Sequence, residues 1–403
     1  MKRALLLEGI HPVARESLQA AGFEVELLDQ SLPANELSTH LADAQLLGIR
    51  SKTHVTNELL AQAPNLLAVG AFCIGTNQID LPACTRHGIG VFNAPFSNTR
   101  SVAELALAEI ILLLRNLPDK MREMHAGHWI KSAAHSHEVR GKSLGIVGYG
   151  KIGMQLSVLA EALGMQVFYY DRVQRLALGN AVRIPTLEAL LQRCDIVSLH
   201  VDGRASNRGL IDATALGRMK PGTILLNLSR GYVIDLPALA AALESGRLRG
   251  AALDVYPEEP AAKDAPFACE LAALPNVIMT PHIGGSTEEA QLDIAEYVSA
   301  RLAAYAASGI STGSVNLPEL APERTPHASR LAHLHENVPG MLAAINRVLA
   351  DHELNIVSQH LGTLNETGYV LTDIDGRLGE TALGKLTRLE HTLRCHQLPS
   401  AEM

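Results

Sequence analysis

The first hundred residues alternate short apolar runs with amphipathic stretches. Residues 4–7, 24–28, 46–49, 67–70 and 91–93 are too short for helices and rich in Leu, Val and Ile, so they predict buried strands. A helical pattern over 12–21 separates the first two. Such alternation predicts a parallel sheet with helices on both faces, and polar residues at the strand ends then sit where ligands bind. The rhythm breaks at 93–98, and a wide apolar face over 99–117 predicts a long buried helix. Residues 120–140 read as a basic, histidine-bearing loop. Alternation then resumes, with strands predicted at 144–147, 167–170, 195–200, 223–228, 250–253 and 277–280. Helices are predicted after Gly153, at 214–218, at 236–245 and at 287–306, with irregular chain at 255–275. Residues 311–328 are rich in Pro, Ser and Thr and read as a linker. Beyond it the order is strand 331–334, helix 339–351 with Pro339 first, strands 355–361 and 369–375, helix 378–391 and strand 392–398. That βαββαβ order is ferredoxin-like.

Composition narrows the classes. A chain of 403 residues, 47% hydrophobic and 19% charged, has room for two or three domains with proper cores. A net charge of −8 gives no general case for nucleic acid or an anionic membrane surface, so an anionic substrate must be met by locally placed Arg or Lys. Five scattered cysteines form no CxxC and no metal-ligand spacing; they read as reduced thiols of a cytoplasmic protein, with no metal expected. The opening MKRALLLEGIHP reads as a first strand rather than a signal peptide. The most apolar stretch, 102–114, contains Glu104 and Glu109 and is too short to span a bilayer.

The chemistry centres on 143–171, SLGIVGYGKIGMQLSVLAEALGMQVFYYD. It combines a strand, the turn Gly148-Tyr-Gly150-Lys-Ile-Gly153, a helix, a second strand and a closing Asp171, the dinucleotide fingerprint in its proper context. Gly148 allows the tight turn, Gly150 lets the backbone approach a pyrophosphate, and Gly153 lets the helix pack closely. The helix N-terminus offers free N–H groups to the phosphates.

Around this unit, LLNLSRG (225–231), ALDVYPEEP (252–260) and TPHIGGST (280–287) closely resemble the D-isomer-specific 2-hydroxyacid dehydrogenases. LLGIRSKTHVT (46–56), FCIGTNQIDL (72–81) and FNAPFSNTRSVAEL (92–105) are similar to the branch that oxidises 3-phospho-D-glycerate to 3-phosphohydroxypyruvate with NAD, opening phosphorylated L-serine synthesis. HENVPGML (335–342) resembles the start of an ACT regulatory domain. The resemblance implies an α/β protein of three parts. A flavodoxin-like parallel-sheet substrate domain spans 1–97 plus 286–327, a Rossmann-type doubly wound NAD domain 98–285, and a ferredoxin-like ACT domain 330–403.

It also implies a catalytic trio. His282, titrating near neutrality, suits the base for the hydroxyl proton. Glu259, immediately before Pro260, is carried over as the carboxylate that orients the ring, with Glu258 expected to be solvated. The planar fork of Arg230 suits an α-carboxylate and the developing oxyanion. Cofactor contacts carry over to Lys151 and Ile152 beside the three glycines, and to Asp171 on the adenosine ribose. They extend to His200 and Val201, to Leu228, Ser229 and Arg230, to Asp254 near the nicotinamide, and to His282, Ile283, Gly284 and Gly285. Asp171 disfavours a 2′-phosphate by like charge, so NAD is preferred over NADP, and Arg172 and Arg175 are read as solvated. Substrate contacts carry over to Arg50, Ser51, Asn98 and Lys131.

In the C-terminal part, His335, Asn337 and Asn355 match positions that bind L-serine in this family. Asn337 also reads as a plain helix cap. Relatives carry a Gly-Gly hinge where this chain has Ala328-Ser329, which costs freedom and implies altered transmission of any inhibition. A homotetramer is implied, with 2-oxoglutarate as a side substrate. The rival readings are a glyoxylate/hydroxypyruvate or D-lactate-type reductase, an NAD-sensing corepressor and a pure amino-acid sensor.

Overall fold

The computed structural model describes residues 2–260 and 265–398, so residues 1, 261–264 and 399–403 of the expected ranges lie outside the described residues. The first sheet contains β1 (Lys2–Leu6), β2 (Phe23–Leu27), β3 (Ala44–Ile49), β4 (Ala68–Ala71) and β5 (Gly90–Asn93), in the order β2-β1-β3-β4-β5. All its pairings are parallel, the flavodoxin-like arrangement. The second contains β6 (Ser143–Val147), β7 (Gln166–Tyr170), β8 (Val182–Arg183), β9 (Ile196–Leu199), β10 (Thr223–Asn227), β11 (Leu248–Leu253) and β12 (Val277–Met279). Its order, β12-β11-β10-β9-β6-β7-β8, is the Rossmann-type doubly wound sheet with one added strand. The third is antiparallel: β13 (Ser329–Glu336), β14 (Asn355–Leu364), β15 (Thr367–Asp375) and β16 (Thr392–Gln397), ordered β14-β15-β13-β16.

The chain divides into two compact units, residues 98–290 in one and residues 1–97 with 291–403 in the other. The ferredoxin-like sheet therefore groups with the first sheet. Ala332, Leu334, Tyr369 and Leu371 share one buried core with Phe92, Tyr305 and Leu317.

Several local expectations are corrected. The basic segment expected as a loop begins with a helix, Leu117–His125, whose proline lies in its first turn and whose entry residue Asn116 is left-handed at φ 53°. Pro339 does not open its helix. Gly340, at φ 94°, reverses the chain, and the helix is Met341–Asp351. The last helix is shorter than expected, Glu380–Thr387. The two-residue strand β8 has no signal in the sequence, because two residues carry no periodicity.

The Pro/Ser/Thr-rich segment is not a free linker. Val91 N–H donates to Asn316 Oδ1 (2.8 Å), Asn316 Nδ2 donates to Ile89 O (2.9 Å), and Val315 N–H donates to Val91 O (2.9 Å), so the segment pairs with the edge strand β5. Further on, Arg330 and Asp373, each 1% exposed, form an ion pair at 2.6 Å. Arg330 also donates to the carbonyls of Pro322 (3.2 Å) and Glu323 (2.8 Å), while Asp373 accepts from Thr325 N–H (2.9 Å). A buried pair satisfied this fully fixes geometry more than it adds stability. Ser329, at the family's hinge position, opens β13 and donates its hydroxyl to Gly376 O (2.7 Å).

Candidate active site

The fingerprint turn shows why its glycines are where they are. Gly148 has φ 92°, and a Cβ there would meet His200 O at 2.5 Å; at Gly153 it would meet Gly148 O at 2.4 Å. Above Gly150 nothing lies within 4 Å, which leaves room for a phosphate group. No side chain caps the helix Lys151–Ala162, whose positive dipole end lies at the fingerprint turn, as anion binding requires. Asp171 is fixed by the same turn: Oδ2 accepts from Tyr149 N–H and Oδ1 from Val173 N–H, both at 2.8 Å. Arg175 approaches Asp171 at 3.9 Å and Arg172 donates to Ser206 Oγ at 3.0 Å, so these exposed arginines are tethered rather than only solvated. A cleft of about 310 Å³ runs over Gly148, Gly150, Asp171, His200 and Val201. Burial lowers the His200 ring to about 4, so it is neutral. It bonds Ser198 Oγ at 2.8 Å through Nε2, and its buried Nδ1 has no partner among the described residues. These features fit a dinucleotide.

At the end of β10, buried Asn227 accepts from Ser229 N–H (3.1 Å) and Ser229 Oγ (2.8 Å) and donates to Arg230 O (3.0 Å). This sets the Leu228–Arg230 bend. Gly231 must follow, because a Cβ there would lie 1.8 Å from the Tyr256 carbonyl carbon. The Arg230 turn thus rests on the Tyr256–Pro257 backbone.

His282 Nδ1 lies 2.8 Å from Glu259 Oε2, and Glu259 Oε1 accepts from Tyr256 N–H at 3.0 Å. The Glu259 hydrogen bond raises the His282 pKa against the opposing pull of burial. Burial pushes Glu259 up, but the bonds from His282 and Tyr256 and the nearby Arg230 charge outweigh it, and its pKa falls. Glu258 is exposed. His282 adopts φ 55°, a left-handed conformation that costs of the order of 1 kcal/mol for a residue with a Cβ and persists only where neighbours enforce it.

Asp254 does the enforcing. Its Oδ1 accepts from Thr280 Oγ1 (2.6 Å) and Ile283 N–H (2.8 Å), and its Oδ2 from Gly284 N–H (2.7 Å). Expected as a nicotinamide contact, Asp254 has three of its four lone-pair sites engaged by the turn that carries His282. Gly285 packs on Asn98, whose Nδ2 would lie 2.1 Å from a Cβ, and Asn98 Oδ1 is buried without a partner among the described residues.

The structure gathers Arg230, Asp254, Glu259, His282 and Asn98 in one unit. Arg50 and Ser51 lie in the other, directly after β3 at the carboxyl edge of the first sheet. Lys131 is exposed beyond the helix Leu117–His125 and makes no hydrogen bond or ion pair with the other site residues among the described ones. The effector set is split. His335 opposes Gly368 on β15, and Asn337 Nδ2 donates to Asn365 O (3.3 Å) at that end of the sheet. Asn355 opposes Asp375, seven positions along β15 and so roughly 23 Å away. Two further acids were not singled out by the sequence, Glu8 and Glu109. Glu109 is 1% exposed, its carboxyl has no hydrogen-bond partner among the described residues, and burial, then the Asp254 charge, push it up to about 8. Its one sequence signal is a carboxylate inside an otherwise apolar helix face.

Comparison with known proteins agrees with this geometry. Residues 107–284 match the family model for the D-isomer specific 2-hydroxyacid dehydrogenase NAD binding domain, and residues 331–394 that for an AHAS small subunit-like ACT domain. The chain is 48% identical over 395 residues to D-3-phosphoglycerate dehydrogenase of Haemophilus influenzae, covering 98% of this chain and 96% of that protein. It is 47% identical over 398 residues to the enzyme of that name from Escherichia coli K12. The chain belongs to the D-isomer specific 2-hydroxyacid dehydrogenase family. It groups there with the D-3-phosphoglycerate dehydrogenases, as an NAD-dependent oxidoreductase with a C-terminal ACT domain. Among solved structures, D-lactate dehydrogenase from Aquifex aeolicus, complexed with NAD and lactic acid, superposes with a TM-score of 0.68 at 27% identity, over 79% of this chain and 100% of that one. The TT0316 protein of Thermus thermophilus gives 0.69 at 32% identity, over 75% of this chain and 96% of that one.

Proposed function

We propose that this enzyme interconverts 3-phospho-D-glycerate and 3-phosphohydroxypyruvate, the first step of phosphorylated L-serine synthesis. The near-full-length match to D-3-phosphoglycerate dehydrogenases carries the reading, and the Glu259–His282 pair supports it. Glu259 as a carboxylate only accepts, so Nδ1 of His282 bears the hydrogen and Nε2 keeps the lone pair for the substrate hydroxyl proton. Glu259 then stabilises the imidazolium. Arg230 offers its fork to the α-carboxylate and to the oxygen that becomes the carbonyl. Gly148, Gly150, Lys151, Ile152 and Gly153 would hold the NAD pyrophosphate, Asp171 the adenosine ribose, and His200, Val201, Leu228, Ser229 and 282–285 the remainder. NAD, when bound, supplies the acceptor for the carbinol hydride. Arg50 and Ser51, with Asn98 and Lys131, would hold the substrate's anionic groups, and 2-oxoglutarate, also a dianion, is a side substrate of the same grip.

L-Serine would be the effector at the ACT sheet. Because Asn355 lies far from His335 and Asn337 on one chain, a ligand touching all three would sit between two copies. Exposed Met121, Met124, Ile130 and Trp129, the last 80% exposed, support association of a second kind, and together these favour a homotetramer. No disulfide forms among the described residues, and no helix among them is long and apolar enough to cross a membrane; a cytoplasmic location is the reading that goes with this.

The test is NADH oxidation with phosphohydroxypyruvate, followed by titration with L-serine. Turnover with phosphohydroxypyruvate is expected. Brisk turnover with glyoxylate or pyruvate and none with phosphohydroxypyruvate would reject the reading.

A further inference from the structure

The loop that follows β3 carries Arg50 and Ser51, and its backbone is held by an acid far away in sequence. The N–H groups of Ser51 and Lys52 both donate to Glu8 Oε2 at 2.9 Å, and that of Thr53 donates to Glu8 Oε1 at 2.8 Å. Three successive amides converging on one point form a nest for an anion, and here the anion is part of the chain. Glu8 is 9% exposed and sits in a left-handed turn, φ 65°, with Gly9 following at φ 63°. The turn brings the carboxylate back under the loop. From the other side, Gln78 Nε2 donates to Arg50 O at 2.5 Å, and Cys73 Sγ approaches the same oxygen at 3.5 Å. The Arg50 backbone is thus clamped on both sides, while its guanidinium makes no ion pair among the described residues.

We propose that Glu8 is a positioning residue that presets Arg50 and Ser51 for the distal anion of the substrate. This rests on the phosphoglycerate reading. A loop needed only for folding would have no reason to combine a charge-assisted grip on its backbone with an uncommitted arginine at its start. The three bonds take up the loop's freedom before substrate arrives, so that less ordering opposes binding of the phosphate. The carboxylate also fills the nest, which keeps the substrate's phosphate from lodging there instead of on Arg50.

The experiment compares wild type, Glu8→Gln, Arg50→Ala and the double variant in the NADH assay, with phosphohydroxypyruvate and with glyoxylate. In Glu8→Gln an amide NH2 faces N–H donors, so bonds are lost and a repulsion is added. KM for phosphohydroxypyruvate should rise about ten- to a hundred-fold while kcat changes by less than about threefold. The glyoxylate parameters should move little, and the double variant should have a KM close to that of Arg50→Ala alone, since Glu8 acts through Arg50. Parallel losses on both substrates, or additive effects in the double variant, would overturn the proposal and leave Glu8 a structural anchor. If Arg50→Ala alone raises KM, the substrate reading stands and the Glu8 role fails. If wild type does not reduce phosphohydroxypyruvate at all, the substrate reading itself fails. Should Glu8→Gln not fold, Glu8→Asp, which keeps the charge but cannot span all three amides, is read by the same criteria.

Discussion

Two loops, one in each unit, are built on a common plan and put to different uses. The turn carrying His282 is clamped by buried Asp254, which accepts two backbone N–H groups and the Thr280 hydroxyl. The loop carrying Arg50 is clamped by Glu8, which accepts three backbone N–H groups. In both, a carboxylate fixes the backbone and leaves the working side chain to its own task. The difference lies in that side chain. His282 is itself partnered, by Glu259, because a proton acceptor needs a chosen tautomer and a tuned pKa. Arg50 makes no ion pair among the described residues, because an anion grip needs only a fixed charge. A rigid base with a partnered tip suits chemistry, and a rigid base with a free tip suits binding.

The comparison can be broken from either side. The largest effect is expected from His282→Ala, which removes the proton acceptor and should lower kcat by roughly 10² to 10⁴ with KM much less changed, read in steady-state kinetics. Next is Asp254→Ala, which leaves the trio intact but frees its turn. A displacement of about 1 Å can cost about a hundredfold, so kcat should fall by about that factor while the fold is retained by circular dichroism. Unchanged kcat would remove Asp254 from this role. Arg50→Ala should raise KM for phosphohydroxypyruvate about ten- to a hundred-fold and leave glyoxylate nearly untouched. Equal losses on both would show that the free arginine serves no phosphate.

The smallest effect concerns stability. Glu109 is held neutral, with a pKa pushed up to about 8. A raised carboxyl contributes stability that is complete below its unfolded pKa and is lost as pH rises toward the folded value. Glu109→Gln cannot ionise, so its melting temperature should lie nearest wild type near pH 4, below the unfolded carboxyl pKa, and exceed it by roughly several degrees near pH 9. A constant gap across that range would contradict the neutral assignment.

Both parallel sheets and the ferredoxin-like sheet were legible in the sequence, because each buried strand announces itself as a short apolar run. The fingerprint glycines were legible too, since turn, helix and closing acid lie within thirty residues. The clamps were not. Glu8 meets its amides 43 to 45 positions away, and no local pattern distinguishes such an acid from a solvated one. Asp254 was picked out by motif, but its three bonds to the turn emerge only when β11 and β12 lie side by side. The 311–328 segment misled because its composition is that of a linker while Asn316 supplies the bonds of a strand edge. Asn355 was grouped with His335 and Asn337 by resemblance, whereas strand register puts it at the far end of the sheet.

The most direct test of the account is the pH dependence of phosphoglycerate oxidation in wild type and Glu259→Gln. With Glu259 in place, rate should rise with pH through a midpoint above the ordinary histidine range, as the raised His282 pKa requires. Without that charge the midpoint should fall, and kcat with it. Superimposable profiles would contradict the claim that Glu259 tunes His282 as the proton acceptor.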